Sequence, residues 1–247
     1  MVAPFFTSPL FFHVQHHNQK GISLSTDSRS PLGALPTSAN SVRFEVWSPY
    51  ANRVTLELVA HDGLSESLLT THELAPMESG IWALEIEAKV GALYRYSVDG
   101  QPGRPDPRSR FQPFGVHGPS QVVDPTHDWQ DADWKGVAKR DLIIYEMHVG
   151  SFTPAGTYAA ATNRLDELVE LGITAIELLP LAQSPGRWYW GYDGVNYFAP
   201  RNTCGSPSSL IDFVDACHAR SIAVINDVVY NHIGPEGNYL SSFGPYK

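Results

Sequence analysis

The hydrophobic period of this chain changes partway along, and that change divides it into two kinds of structure. From Ser41 to Val98, apolar residues alternate with polar ones: Val42, Phe44 and Val46 against Arg43 and Glu45, then Val54, Leu56 and Leu58 against Thr55 and Glu57. Trp82, Leu84 and Ile86 alternate with Glu85 and Glu87, and Tyr94, Tyr96 and Val98 with Arg95 and Ser97. A period of two sends one face into a core and the other into water, so these segments read as half-buried strands. Ser48-Pro49, Asp62-Gly63, Ser79-Gly80 and Asp99-Gly100 separate them as turns, describing a small antiparallel, immunoglobulin-like β-sandwich over residues 39–103.

After Asp141 the pattern is different. Leu142 to Tyr145 is a short apolar run that suits a buried parallel strand, and residues 173–179 and 222–229 are two more. Between the first two, Thr157 caps a helix with Ala161, Leu165, Leu168 and Leu171 at helical spacing and Gly172 at its end. Between the second and third, Ser206 and Pro207 make an N-cap and first turn ahead of Leu210, Phe213, Val214 and Cys217. Strand, helix, strand, helix, strand is two βαβ units in series, so the expected fold class is an all-β sandwich followed by α/β.

The flanking segments carry neither period. Residues 1–38 hold one Asp, no Glu and scattered Pro and Ser, the pattern of an unpacked arm, and its His13, His16 and His17 lack Cys or carboxylate partners for a metal. Residues 104–140 contain Pro105, Pro107, Pro113, Pro119 and Pro125, which excludes a helix or a central strand and leaves a surface connector. Its Trp129 and Trp134 indicate that the connector is packed down.

Charge narrows the partners. With 17 basic and 26 acidic side chains the net charge is −9, unsuited to nucleic acid or an anionic membrane, both of which demand a positive surface. No stretch approaches the roughly 20 apolar residues of a membrane helix. Pro4 and Pro9 break the apolar N-terminus and no basic residue precedes it, which argues against a signal peptide. Cys204 and Cys217 give neither a disulfide framework nor a metal-ligand spacing, which fits a reducing, cytoplasmic location.

In parallel α/β folds, ligands meet the residues just past the C-terminal ends of strands. Asp227, Asn231 and His232 lie at such an end, where a carboxylate, an amide and an imidazole can exchange hydrogen bonds with hydroxyls. An Asp capping the next helix and a solvated loop His would give the same letters. Past the second strand, Arg187 to Gly194 carries Trp188, Tyr189, Trp190 and Tyr192 among glycines, a flat surface of the kind that sugar faces stack on. Tyr192 is the candidate contact there, with Trp188 and Tyr189 read as structural cover.

These residues carry a family resemblance. Asp227 to His232 resembles the first shared motif of the α-amylase superfamily of glycoside hydrolases, and Gly191-Tyr192-Asp193 resembles the Tyr-bearing loop of the same barrels. Pro31-Leu32-Gly33-Ala34 and Phe44-Glu45-Val46-Trp47-Ser48-Pro49 are similar to the N-terminal sandwich of branching, debranching and trehalose-releasing members. Three further stretches are closest in pattern to the trehalohydrolases: Asp106 to Pro125, Tyr145 to Gly150, and Gly234 to Leu240. The resemblance implies a (β/α)8 TIM barrel that cleaves an α-1,4-glucosidic bond of maltooligosaccharide or maltooligosyltrehalose, next to terminal trehalose. It assigns Tyr192 to stacking at the cleavage subsite and His232 to the sugar's hydroxymethyl group. Asp227 would hold an arginine near the nucleophile, and Asn231 joins the set as a weaker match. In some amylases the matching Asn binds calcium, but the trehalohydrolases are not generally calcium enzymes, so the resemblance implies no metal and no cofactor.

A whole barrel takes about 250 residues, and residues 141–247 supply only its first three strands, an incomplete TIM barrel. The nucleophile and general acid of a retaining glycosidase are therefore expected beyond Lys247, with no catalytic residue inside the chain and no activity from it alone. Glu146, Glu177 and Glu236 are acids in suitable neighbourhoods that match no catalytic position. Three strands also leave an open edge and an exposed apolar face, which favours aggregation. Two alternatives stand beside this reading: a fragment of a 1,4-α-glucan branching enzyme, and a non-enzymatic glucan-binding module.

Overall fold

The computed structural model describes residues 32–188 and 190–246. The N-terminal part consists of two antiparallel sheets. One has the order β1-β2-β6-β5, from strands Gly33–Ser38, Ser41–Trp47, Ile81–Glu87 and Ala75–Pro76. The other has the order β4-β3-β7-β8, from Glu66–Glu73, Val54–His61, Leu93–Val98 and Ser120–Gln121. Each alternating apolar set supplies the core between them. Val42, Phe44, Val46, Val54, Leu56, Trp82, Tyr94 and Tyr96 are all buried in one cluster. Phe44 of the first sheet meets Tyr94 of the second edge to face at 5.0 Å, so the sheets face each other.

The sandwich reaches beyond the 39–103 span in both directions. Gly33–Ser38 pairs with β2 although its sequence has no alternation, and Pro36 is accommodated because β1 is an edge strand. Gly33, at φ +105°, lies against Arg110, whose guanidinium donates to the carbonyls of Ala34 and Leu32. Residues 1–31 of the expected arm, with their three histidines, fall outside the described residues. The first half of the expected surface connector is also part of the fold. Asp106, Ser109, Gln112, Ser120 and Val122 are essentially inaccessible, and β8 extends the second sheet. Proline excludes helix there without exposing the chain, because side chains such as Ser120 and Gln112 satisfy the backbone. Sequence pattern missed β4. Its Leu68 and Leu69 are adjacent rather than alternating, and its pairing with β3 shifts register between Leu58 and Val59.

The C-terminal part is built on a three-stranded parallel sheet. Its order is β13-β10-β9, from strands Ala223–Asn226, Ala175–Leu178 and Ile144–Met147. The helices α1 (Val149–Phe152), α2 (Tyr158–Thr162) and α3 (Leu165–Glu170) connect β9 to β10. A short hairpin, β11 (Ala182–Gln183) with β12 (Asn196–Pro200), and helix α4 (Pro207–His218) connect β10 to β13. Both expected caps form: Thr157 Oγ1 accepts from Ala160 N at 3.3 Å, and Ser206 Oγ accepts from Ser209 N at 3.3 Å. The first helix is split between α2 and α3, and Leu171 is 72% exposed rather than on the core face. Chain direction turns there at Gly172, φ +79°, just past the end of α3.

The helices cover one face of this sheet. Met147, Ile176 and Leu178 are buried with Leu165, Leu168, Phe213 and Cys217 in a second core. The opposite face is open, and there Glu146 of β9 stands in register with Glu177 of β10, with Ile225 of β13 on the same rung. Ile143 and Ile144, expected in a buried strand, are exposed: β9 begins two residues after the start of its apolar run, which leaves Ile143 outside it, and Ile144 shares the open face with Glu146. β13 likewise ends at Asn226, not Val229, so Asp227 belongs to the outgoing loop.

Two segments bind the parts together. The second half of the connector straps onto α4: His127 bonds Asp215 at 2.9 Å, His218 bonds Asp131 at 2.7 Å, and Trp134 stacks on His218 at 4.6 Å. Residues past β13 return to the sandwich, where Phe243 joins the first core and its carbonyl accepts from Ser48 Oγ at 2.7 Å. Cys204 and Cys217 are free and buried, and burial raises the Cys217 thiol pKa to about 12, which suits inert packing residues.

Candidate substrate-binding site

The loops after β10 and β13 meet at the C-terminal end of the parallel sheet. Asp227 follows β13 directly, and its N–H donates to the Leu178 carbonyl of β10 at 3.0 Å, which fixes the carboxylate at the sheet rim. The Tyr192 hydroxyl donates to Asp227 Oδ2 at 3.2 Å. His232 Nε2 contacts the Tyr192 carbonyl at 2.8 Å. A carbonyl only accepts, so Nε2 carries the proton, and in the neutral ring Nδ1 remains an acceptor.

Three of the four candidates therefore form one constellation: Tyr192, Asp227 and His232. Asn231 is exposed at its edge, and no hydrogen bond among the described residues ties it to the other three. Tyr189 lies outside the described residues. Trp188 is exposed rather than covering anything. Desolvation is the main cause that lifts the Tyr192 phenol above its ordinary pKa. Its bond to Asp227 and the negative charges of Asp227, Glu146 and Glu177 follow. The phenol stays neutral near pH 7 and the surroundings are acidic, a setting for a cation or a neutral polyhydroxyl rather than a phosphate.

Local sequence explains how the loop holds its shape. Gly191 has φ +93°, and a Cβ there would lie 2.1 Å from the Pro180 carbonyl oxygen, so only glycine lets the backbone pass. Gly234 N–H donates to the Gly194 carbonyl at 3.0 Å, closing one loop on the other. Sequence reasoning missed Tyr197 of β12, whose hydroxyl donates to the His232 carbonyl in a short bond. The short apolar run Tyr197-Phe198-Ala199 within Asn196–Pro200 was the available signal, in a stretch the sequence pattern left unassigned.

Glu146 and Glu177 share a rung of the open sheet face, whereas Glu236 lies 3.6 Å from His117, away from that rung. Among the described residues, no group of three or more His, Cys, Asp and Glu is arranged to hold a metal ion. Nor is any helix long and apolar enough to cross a membrane.

Comparison with known proteins fits this geometry. Residues 31–115 match the model of carbohydrate-binding module 48, the isoamylase N-terminal domain, and residues 125–244 match the α-amylase catalytic domain. A malto-oligosyltrehalose trehalohydrolase of Deinococcus radiodurans is 44% identical over 97% of this chain and 37% of its own length. The branching enzyme GlgB of Mycolicibacterium paratuberculosis is 33% identical over 86% of this chain and 31% of its own. A crystal structure from Salmonella typhimurium named as an α-amylase superposes with a TM-score of 0.78 at 39% identity, covering 87% of this chain and 35% of that one. A pullulanase of Anoxybacillus, solved with maltotetraose, gives a TM-score of 0.72 at 26% identity, over 87% of this chain and 37% of that one. The chain thus spans little more than a third of the length of the relatives it matches. It resembles the N-terminal part of a malto-oligosyltrehalose trehalohydrolase, a carbohydrate-binding module 48 leading into an α-amylase-type catalytic domain.

Proposed function

We propose that this chain supplies part of the substrate-binding face of a glycoside hydrolase that cuts the α-1,4-glucosidic bond next to terminal trehalose and releases trehalose. The observation that carries the reading is the bonded set Tyr192, Asp227 and His232 at the C-terminal rim of the parallel sheet. In this reading β9, β10 and β13 are the first three strands of a (β/α)8 barrel, whose ligands meet that rim. Tyr192 presents its ring to a sugar face, His232 Nδ1 accepts from a sugar hydroxyl, and Asp227 holds Tyr192 while keeping a second oxygen for a cationic partner. Asn231 contributes at the edge.

A retaining glycosidase also requires a nucleophile and a general acid about 5–5.5 Å apart. We place neither in residues 1–247, because Glu146, Glu177 and Glu236 match no catalytic position of the family. The purified 247-residue chain is then expected to bind maltotetraose and to release no trehalose from maltooligosyltrehalose. Trehalose above a no-protein control would overturn the second half of the proposal.

The higher identity to the trehalohydrolase than to the branching enzyme, 44% against 33%, favours hydrolysis over transfer. A second reading, a glucan-binding module with no catalytic role, is supported by the match of residues 31–115 to carbohydrate-binding module 48. Maltooligosaccharide binding that persists in an isolated 31–125 segment and is unaffected by Tyr192→Ala in the full chain would favour it.

A further inference from the structure

The loop that carries Tyr192 also exposes two indoles for which the bonded constellation has no use. Trp188 and Trp190 are 67% and 69% exposed, and with Gly186, Arg187, Tyr192 and Asp193 they line an open hollow of about 500 Å³. Leaving two of the largest apolar side chains in water is costly unless something covers them.

The hollow has a fixed floor. The carbonyl of Arg187 accepts from Arg201 Nη2 at 3.0 Å, and Arg201 is itself buried. The Arg187 guanidinium lies 4.9 Å from the Trp188 ring centroid, holding that ring by a cation–π contact. Gly191 is wedged against Pro180, the Tyr192 carbonyl is held by His232, and the Gly194 carbonyl by Gly234. With anchors at Arg187 before the two indoles and at Gly191 and Tyr192 after them, and with only two rotatable bonds in each Trp side chain, binding there carries a small ordering cost.

We propose that Trp188 and Trp190 form a stacking shelf for the outer glucosyl units of an α-glucan chain whose end lies at Tyr192, Asp227 and His232. The assignment rests on the reading of that constellation as a sugar site and extends it to ligand length. Indole faces are apolar with a polar edge, which matches the C–H face and hydroxyl rim of a pyranose. Asp193 on the hollow, the acids around Tyr192 and the net charge of −9 oppose a nucleotide or any other phosphate-bearing ligand, the alternative that stacks on indoles. Continuity of the hollow with Tyr192 gives one extended surface, so a chain longer than the constellation alone can hold is the fitting occupant.

The test is a maltoheptaose titration of the full 247-residue chain carrying ¹⁵N-labelled tryptophan, with the His232 ring followed in parallel. The Trp188 and Trp190 indole signals are assigned by Trp188→Phe and Trp190→Phe. Both indoles and the His232 ring are expected to shift together, saturating at one dissociation constant. Alanine at either Trp is expected to weaken maltoheptaose binding roughly twofold to tenfold, from about 0.5–1.5 kcal/mol per aromatic contact. It should leave maltose binding unchanged. Shifts at His232 with still indoles overturn the shelf and leave the sugar site standing. Shifts at the indoles with a still His232 refute the constellation and overturn the shelf as its extension, leaving a separate indole site. Silence at both overturns both.

Discussion

Asp106 offers a quantitative test of how the two parts are joined. It is 1% exposed, its carboxylate accepts from Tyr94 Oη and from Arg108 N, each at 2.7 Å, and its carbonyl accepts from Asn196 of β12 at 3.2 Å. Burial raises its pKa from 3.8 to about 6, against the lowering effects of the Tyr94 and Arg108 bonds and of the Arg110 charge. A folded-state pKa above the unfolded one means that the folded chain binds the proton more tightly. The stabilising effect is complete below the unfolded value of 3.8 and is lost as pH rises through about 6. The shift of about two units corresponds to about 3 kcal/mol of penalty at pH 7, of which about 2 kcal/mol is relieved on acidifying to pH 4. That is a sizeable part of the 5–15 kcal/mol that holds a typical domain. Asp106→Asn keeps an acceptor for Arg108 N–H and a partner for the Tyr94 hydroxyl while removing the titration. Urea unfolding of both proteins across pH 4–7 is the assay. The stability difference, wild type minus variant, should grow by about 2 kcal/mol toward pH 4. A difference independent of pH would refute the reasoning.

Gly191→Ala forces a Cβ to within 2.1 Å of the Pro180 carbonyl oxygen, at a φ of +93°. The loop must move, so maltotetraose affinity should fall at least about tenfold by calorimetry, with the thermal midpoint nearly unchanged because both indoles and Tyr192 already stand outside the cores. Ser206→Ala removes the hydroxyl that caps α4 and should cost about 1 kcal/mol in urea unfolding, while Ser206→Gly costs only a few tenths.

Alternation made the sandwich legible because each strand buries one face: Val42, Phe44 and Val46 in the sequence are the same residues found in the core. Pattern failed at edges. β1 and β4 owe their places to pairing with a neighbour rather than to an apolar stripe, so nothing periodic marks Gly33–Ser38 or Glu66–Glu73. The α-helical caps at Thr157 and Ser206 were legible because capping is local chemistry, whereas Leu171 and Ile144 were misplaced because burial there depends on which face or turn the chain takes. At the site, strand ends pointed to Asp227 and His232, and glycine spacing to Tyr192. Their mutual bonding could not be read, since it depends on Gly191 and Gly234 folding two loops together from 43 positions apart in sequence. Tyr197 escaped for the same reason: the apolar run around it marks a strand, but nothing in it points to a bond with the His232 carbonyl.

Tyr192, Asp227 and His232 are proposed to make this chain a binder of α-1,4-linked glucose. Isothermal titration of maltotetraose into the wild-type chain and into Tyr192→Ala tests it most directly, with far-ultraviolet circular dichroism to verify that the partly exposed Tyr192 can be truncated without loss of fold. Saturable binding by the wild type is expected, with at least about a tenfold loss in the variant. No saturable heat from the wild type, or equal affinities in the two proteins, would contradict it.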